Sequence, residues 1–306
     1  MELIKPDINL DFVGKRRMAV IFSAALILIG LVSLIAKGGP NYGIDFAGGT
    51  LVQVKFVEAT TAKDIKVALK DLDLRGLTVQ QFGDEPNEYL LRAQESSSKL
   101  EGLSQTIGGA LDAVYGADQA EIRRVEMVGP QVGKDLRKKG LMAIFYAMIG
   151  ILIYVTWRFE FRFAVGAILA LLHDVVITLG IFSLSGKEID LPIIAAFLAI
   201  IGYSLNDTII VYDRIRENQG KHAKQGLEFL INRSINETLS RTILTSGTTL
   251  MVVLALFIFG GGVIHNFAFA LLVGVLIGTF SSIFVASPLL IFWQNYRNRV
   301  KAKASA

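Results

Sequence analysis

The chain has 306 residues, 52% hydrophobic and 19% charged, with a formal charge of +4 at pH 7. So apolar a balance excludes an ordinary water-soluble domain of this length and points to a bilayer. With no cysteine, a disulfide framework and a thiolate metal site are excluded as well.

Six apolar runs are long enough to span a membrane: approximately Met18 to Ala36, Leu141 to Trp157, Phe163 to Leu184, Leu191 to Tyr212, Ile243 to Val263 and Phe267 to Trp293. The first follows the basic cluster Lys15, Arg16 and Arg17 and looks like a signal peptide. It is longer than a usual signal core and lacks a small-residue cleavage site, so residues 18–36 read as an uncleaved span behind a short N-terminal segment, 1–17. Residues 37–139 are polar and of domain size. They contain LVQVKFVE (51–58), a helical stretch TAKDIKVALKDL (61–72), then LTVQQF (77–82), NEYLLRA (87–93), a helix over 98–115 and AEIRRVEMV (120–128). The order βαββαβ predicts a ferredoxin-like α+β domain. It holds no histidine and no nucleophile or metal-ligand constellation, which favours a binding or mechanical module. Its excess of acidic residues argues against a nucleic-acid partner. Residues 140–293 then form five spans with short connections, followed by a basic tail, 294–306.

Orientation follows from Lys and Arg in the short segments. With the N-terminus inside, the inside segments hold Lys5, Lys15 to Arg17, Arg158, Arg162, the basic residues from Arg214 to Arg241 and those of the tail, against Lys187 in the short outside loops. Arg137, Lys138 and Lys139 oppose this, but long translocated domains obey the rule poorly. Both termini are expected in the cytoplasm and the domain outside it. The fold class is a polytopic α-helical membrane protein with six transmembrane helices and an extracytoplasmic α+β ferredoxin-like domain.

Three places in the membrane half hold ionisable groups that hydrocarbon resists, at a cost of at least about 3 kcal/mol each. His173 and Asp174 fall near the middle of the third run. Asn206 and Asp207 interrupt the fourth, with Tyr203 and Ser204 on the face of Asp207. Arg241 opens the fifth, and Thr245, Thr248 and Thr249 follow it on one face. Asp207 and Arg241 meeting across a seam lower each other's cost and leave a carboxylate able to take up a proton. Blander explanations stand beside this one. An arginine at a helix end commonly snorkels to the interface, Asp174 serves equally well as an inert partner of His173, and span hydroxyls often bond only their own helix. Asp207 is hardest to explain in that way, lying inside its run with no basic residue one turn away. The stripe Gly274, Gly278 and Ser282 reads as helix packing.

Several segments carry a family resemblance. NYGIDFAGGT (41–50) resembles the Asp-Phe-x-Gly-Gly-Thr signature of the SecD/SecF family, with Asp45, Phe46, Gly48, Gly49 and Thr50 at the signature positions. RVEMVGPQVG (124–133), RFEFR (158–162), LLHDVVITLGIFSL (171–184), IGYSLNDTIIVYDRIREN (201–218) and RTILTSGTTL (241–250) resemble its SecF branch and stand in family order. The resemblance implies an accessory subunit of the bacterial Sec translocase in the inner membrane. It implies a heteromeric complex with SecD, association with the SecYEG translocon and YajC/YidC-type subunits, and translocating preproteins as the substrate. It also implies coupling to the proton-motive force, as in the related RND transporters, with proton conduction assigned to Asp207 and Arg241. No cofactor and no enzymatic activity are expected. Two other classes remain open from the residues: half of an RND-type small-molecule or lipid transporter, and an intramembrane aspartyl protease built on Asp174 and Asp207. No Gly-x-Gly-Asp motif surrounds either aspartate, which counts against the protease.

Overall fold

A computed structural model describes residues 8–74, 76–82, 87–93, 102–222 and 224–304. The stretch 94–101, on which the sequence places the start of the second domain helix, lies outside the described residues.

Helix α1 (Arg16–Ala36) leads through a short link and a single turn, α2 (Ile44–Ala47), into the α+β domain. There β1 (Gly49–Phe56) is followed by α3 (Ala62–Ala68), a tight turn at Lys70–Leu72, β2 (Thr78–Gln81), β3 (Glu88–Ala93), α4 (Leu103–Tyr115) and β4 (Ala120–Val128). The sheet is antiparallel in the order β2-β3-β1-β4, the ferredoxin-like arrangement. Alternation along the strands sends Val52, Val54 and Phe56 of β1 and Tyr89 and Leu91 of β3 to one face, where Ile65 of α3 and Ile107 and Leu111 of α4 cover them. Thr61 starts α3 as its N-cap, its hydroxyl accepting from Asp64 N–H at 3.2 Å. The opposite face carries Gln53, Gln80, Arg92 and Arg124 and lines a cavity of roughly 700 Å³ above one end of the membrane helices. Across it, Arg92 pairs with Glu188 in a helix connection, tying domain to bundle.

The bundle consists of α5 (Pro130–Arg158), α6 (Phe161–Ser185), α7 (Leu191–Lys221), α8 (Leu227–Phe259), α9 (Gly262–Ser281) and α10 (Ser287–Ala304). With α1 they give, among the described residues, six helical segments long and apolar enough to cross a bilayer, α9 and α10 together forming the last. Several helices outrun the apolar runs. Helix α5 starts at Pro130, whose fixed φ suits a first helical position. Helix α8 starts at Leu227, well before Ile243, because its leading turns bury Leu230, Ile231, Ile235 and Leu239. It also stops at Phe259 rather than Val263, since the chain turns at Gly260 and Gly261. The last span is interrupted by a π-helical turn, Ser282–Ala286, just before Pro288, which cannot donate to the carbonyl one turn back. There the Tyr212 hydroxyl donates to the Ala286 carbonyl at 3.1 Å.

Helices in lipid gain little from burying apolar surface, so close backbone approach at small residues holds them together. Helices α1 and α6 cross where Gly30 meets Gly180, and α7 and α9 where Gly274 and Gly278 meet Ile200 and Ser204. A Cβ on Gly274 would lie 2.3 Å from Ile200, so this seam admits no larger residue without shifting. At the end of the bundle away from the domain, Asn232 and Asn236 of α8 clamp the segment before α1. The Asn232 side chain accepts from Phe12 N–H at 2.8 Å, and that of Asn236 from Leu10 N–H at 2.8 Å.

Candidate functional site

Asp207 is 1% exposed and sits on the face of α7 that meets α8 and α9. Among the described residues one hydrogen bond reaches it, from the Ser246 hydroxyl of α8 at 3.2 Å, and its Oδ1 has no partner. Ser246 in turn lies 2.9 Å from the Thr279 hydroxyl of α9, which also approaches the Val275 carbonyl at 2.8 Å. These hydroxyls can be ordered in two ways. With Asp207 ionised, Thr279 donates to Ser246 and Ser246 to Asp207. With Asp207 protonated, Ser246 is free to turn and donate to Thr279, whose proton then goes to Val275. The charge on Asp207 is thereby written into the contacts of three helices.

Arg241 makes no ion pair among the described residues and is exposed on the outer side of α8. It stands five residues, less than one and a half turns, before Ser246 on the same helix. Thr245 and Thr248 return their hydroxyls to their own helix, Thr245 to the Arg241 carbonyl at 3.0 Å and Thr248 to that of Leu244 at 2.9 Å. The hydroxyls of α8 that face inward are Ser234, Thr238, Thr242 and Ser246, recurring every four residues. That four-residue spacing is the sequence signal that marks Ser246, whereas Thr279 has no hydroxyl four residues to either side. The Tyr203 hydroxyl is buried without a partner, and Asn206 is exposed.

His173 and Asp174 belong to a separate cluster. Asp174, also 1% exposed, accepts from Ser204 of α7 at 2.6 Å and from Ser281 of α9 at 2.8 Å, and lies 2.9 Å from His173 Nδ1. Ser204 thus serves Asp174, not Asp207. The far nitrogen of His173 meets Ser23 of α1 at 2.9 Å.

The Gly-Gly signature does its work at the join between domain and bundle. Gly48 holds φ +76°, and a Cβ there would stand 2.8 Å from the Pro130 backbone. A Cβ on Gly133 of α5 would stand 3.1 Å from the backbone of Phe46 and Gly48, while Phe46 and Thr50 are buried and Gly49 has φ +126°. Asp45 reaches across to accept from Leu191 N–H, 2.9 Å away, at the start of α7. Beside it Asp190 caps α7 through Ile193 N–H at 3.2 Å. Burial, with Asp45 and Glu188 adding repulsion, pushes the Asp190 carboxyl up from 3.8 to about 6. A raised folded-state value means the native form holds the proton longer, so this contribution to stability is complete below 3.8 and is lost as pH rises through about 6. Asp190→Asn keeps a capping oxygen. The variant is expected to melt above the native chain at pH 7 and together with it near pH 4, as read by thermal unfolding in detergent.

Among the described residues no group of three or more His, Cys, Asp and Glu side chains is placed to hold a metal ion. Residues 110–296 match the family "Protein export membrane protein SecD/SecF, C-terminal", and residues 33–60 match "SecD/SecF GG Motif". The chain is 51% identical over 293 residues to the protein translocase subunit SecF of Desulfurispirillum indicum, covering 93% of this chain and 92% of that one. It is 48% identical to the subunit of the same name from Calditerrivibrio nitroreducens, covering 98% and 99%. Its structure is similar to the crystal structure of SecDF from Thermus thermophilus, a translocon-associated membrane protein, with a TM-score of 0.85 and 38% identity. That match covers 96% of this chain and 40% of the Thermus chain. With a family match over more than half of its length and relatives this similar from end to end, the chain belongs to the SecD/SecF family of protein-export membrane proteins.

Proposed function

We propose that this multi-pass membrane protein acts as the SecF-type subunit of a bacterial protein translocase, coupling the proton-motive force to late steps of preprotein export, with Asp207 as the proton-binding group. The observation that carries this reading is a buried carboxylate with one hydroxyl donor and a bare second oxygen, in a span where an unpaired charge costs at least about 3 kcal/mol. Such a group gains by taking up a proton, and the Ser246–Thr279 link converts that event into a change of helix contacts. A charge crossing the potential gains about 2.3 kcal/mol per 100 mV, enough to shift a two-state equilibrium tens-fold when protonation distinguishes the states. Arg241 supplies the electrostatic bias. Its guanidinium, the exposed Asn206 and the small residues Ala195, Ala199 and Gly202 on the open face of α7 form the surface that a SecD-type subunit covers. SecYEG and YajC/YidC-type subunits follow as wider partners.

The role is not enzymatic. An aspartyl protease needs two carboxylates sharing a proton, whereas Asp174 is held by His173, Ser204 and Ser281, and no hydrogen bond joins it to Asp207. In the proposed orientation both termini lie in the cytoplasm and the α+β domain outside the inner membrane. Ser185 and Lys221, exposed at opposite ends of the bundle, test this. In intact cells Ser185→Cys should react with an impermeant thiol reagent and Lys221→Cys should not; the reverse pattern would overturn the orientation. The proton role itself is tested by proton-motive-force-dependent translocation in vesicles carrying Asp207→Asn.

A further inference from the structure

We infer that His173 and Asp174 form a second proton-binding site in the bundle, whose affinity is set by hydroxyls on α7 and α9. Both side chains are buried, and their polar atoms are met by serines from three other helices: Ser23 of α1 on His173, Ser204 of α7 and Ser281 of α9 on Asp174. The imidazole also stacks on Phe280 of α9, with ring centroids 6.4 Å apart. Among the described residues no lysine or arginine pairs with either side chain, so an ionised Asp174 beside a neutral His173 leaves a net negative charge in hydrocarbon, and one proton on the imidazole makes an imidazolium–carboxylate pair of zero net charge. Ser23 serves both forms, donating to the far nitrogen of neutral imidazole and accepting from it when that nitrogen is protonated.

The surroundings of the pair are otherwise uncharged. On α7 the next ionisable groups are Tyr203, beside Ser204, and Asp207, one turn on. Helix α9 carries none between His265 and Ser281. The charged residues of α1, α5 and α10 lie towards their ends: Arg16 and Arg17, Lys134 to Lys139 and Arg158, and Arg297 onward. What varies the affinity is therefore helix position. Withdrawal of Ser204 or Ser281 strips a donor from the carboxylate and raises its demand for a proton. Ser204 lies three residues before Asp207, and Ser281 two after Thr279, so a movement of α7 and α9 that alters the Asp207 contacts also alters those of this pair.

The chain has three histidines, so His222→Gln with His265→Asn leaves His173 as the sole imidazole. With ¹⁵N-histidine label in lipid bilayers, its nitrogen shifts report charge and tautomer directly. Across the pH range in which the protein stays folded, these shifts are expected to pass from the neutral to the cationic pattern as pH is lowered. Asp174→Asn should abolish the imidazolium across that range. Ser204→Ala, which keeps the Cβ packed against Gly278 and therefore the fold, should raise the midpoint by up to about one pH unit. A His173 whose charge stays constant across the range, neutral or cationic, would make the pair a fixed helix tie and overturn the site. A midpoint unmoved by Ser204→Ala would overturn its link to α7. The link adds to the proton-coupled reading above, but this measurement does not depend on it: normal translocation by Asp207→Asn would remove that reading and leave the His173 titration standing.

Discussion

Asp207→Asn is expected to insert, fold and bind its partner as the native chain does, while losing the part of export that depends on the proton-motive force. The substitution keeps shape and removes a costly buried charge, so destabilisation is not expected. An amide cannot cycle a proton, and it holds the Ser246–Thr279 hydroxyls in one order. The coupled fraction of translocation should fall to background, an effect of tens-fold or more by the charge-transfer energy given above. Asp207→Glu should keep part of the activity. Ser246→Ala leaves the carboxylate with no donor and should shift the pH dependence of translocation upward, because the proton is then held more tightly. Arg241 forms no ion pair with Asp207, so Arg241→Lys should be impaired less than Arg241→Met, the charge acting through space. The double variant Asp207→Asn with Arg241→Met should be little worse than either alone. These are measured as translocation into inverted vesicles containing the normal partner; full stimulation by Asp207→Asn at normal expression would reduce Asp207 to a packing residue.

Gly48→Val is expected to uncouple the outer domain from the bundle while leaving each part folded. The position has φ +76°, which a β-branched residue resists, and its Cβ would lie 2.8 Å from backbone that cannot move without displacing α5. Strain of this kind is worth about 1–3 kcal/mol. The steric conflict adds to it and falls on the contact with Pro130 and Gly133, at the start of β1 and away from the core of Val54, Ile107 and Leu111. Proteolysis at the domain–bundle links should accelerate and export should fall, with the domain's own melting unchanged. Asp45→Ala removes the bond to Leu191 N–H and should act in the same direction more weakly, by about 1 kcal/mol. Native export by Gly48→Val would mean that the join is not used to carry movement.

Much of this molecule is local and therefore legible in the chain. Hydropathy alone locates the spans, because a bilayer selects on length and apolarity, and period-two alternation locates the strands of the βαββαβ domain, because one face of the sheet must bury. Asp207 stands out from cost alone: a carboxylate in hydrocarbon needs a reason. Its partners did not stand out. Thr245 and Ser246 are neighbours in sequence but lie about 100° apart around α8, and which of them meets Asp207 depends on the rotation of that helix. Lipid accepts apolar side chains on every face, so composition does not set that rotation. Close approach across the bundle does, including that of Gly274 and Gly278 on Ile200 and Ser204. The same packing gives Ser204 to Asp174 rather than to Asp207, leaves Arg241 on the open surface, and carries α5 and α8 beyond their apolar runs to meet the domain and the N-terminal segment. Composition along the chain says which groups the membrane must account for; which of them meet follows from packing, because a helix face is chosen by its neighbours.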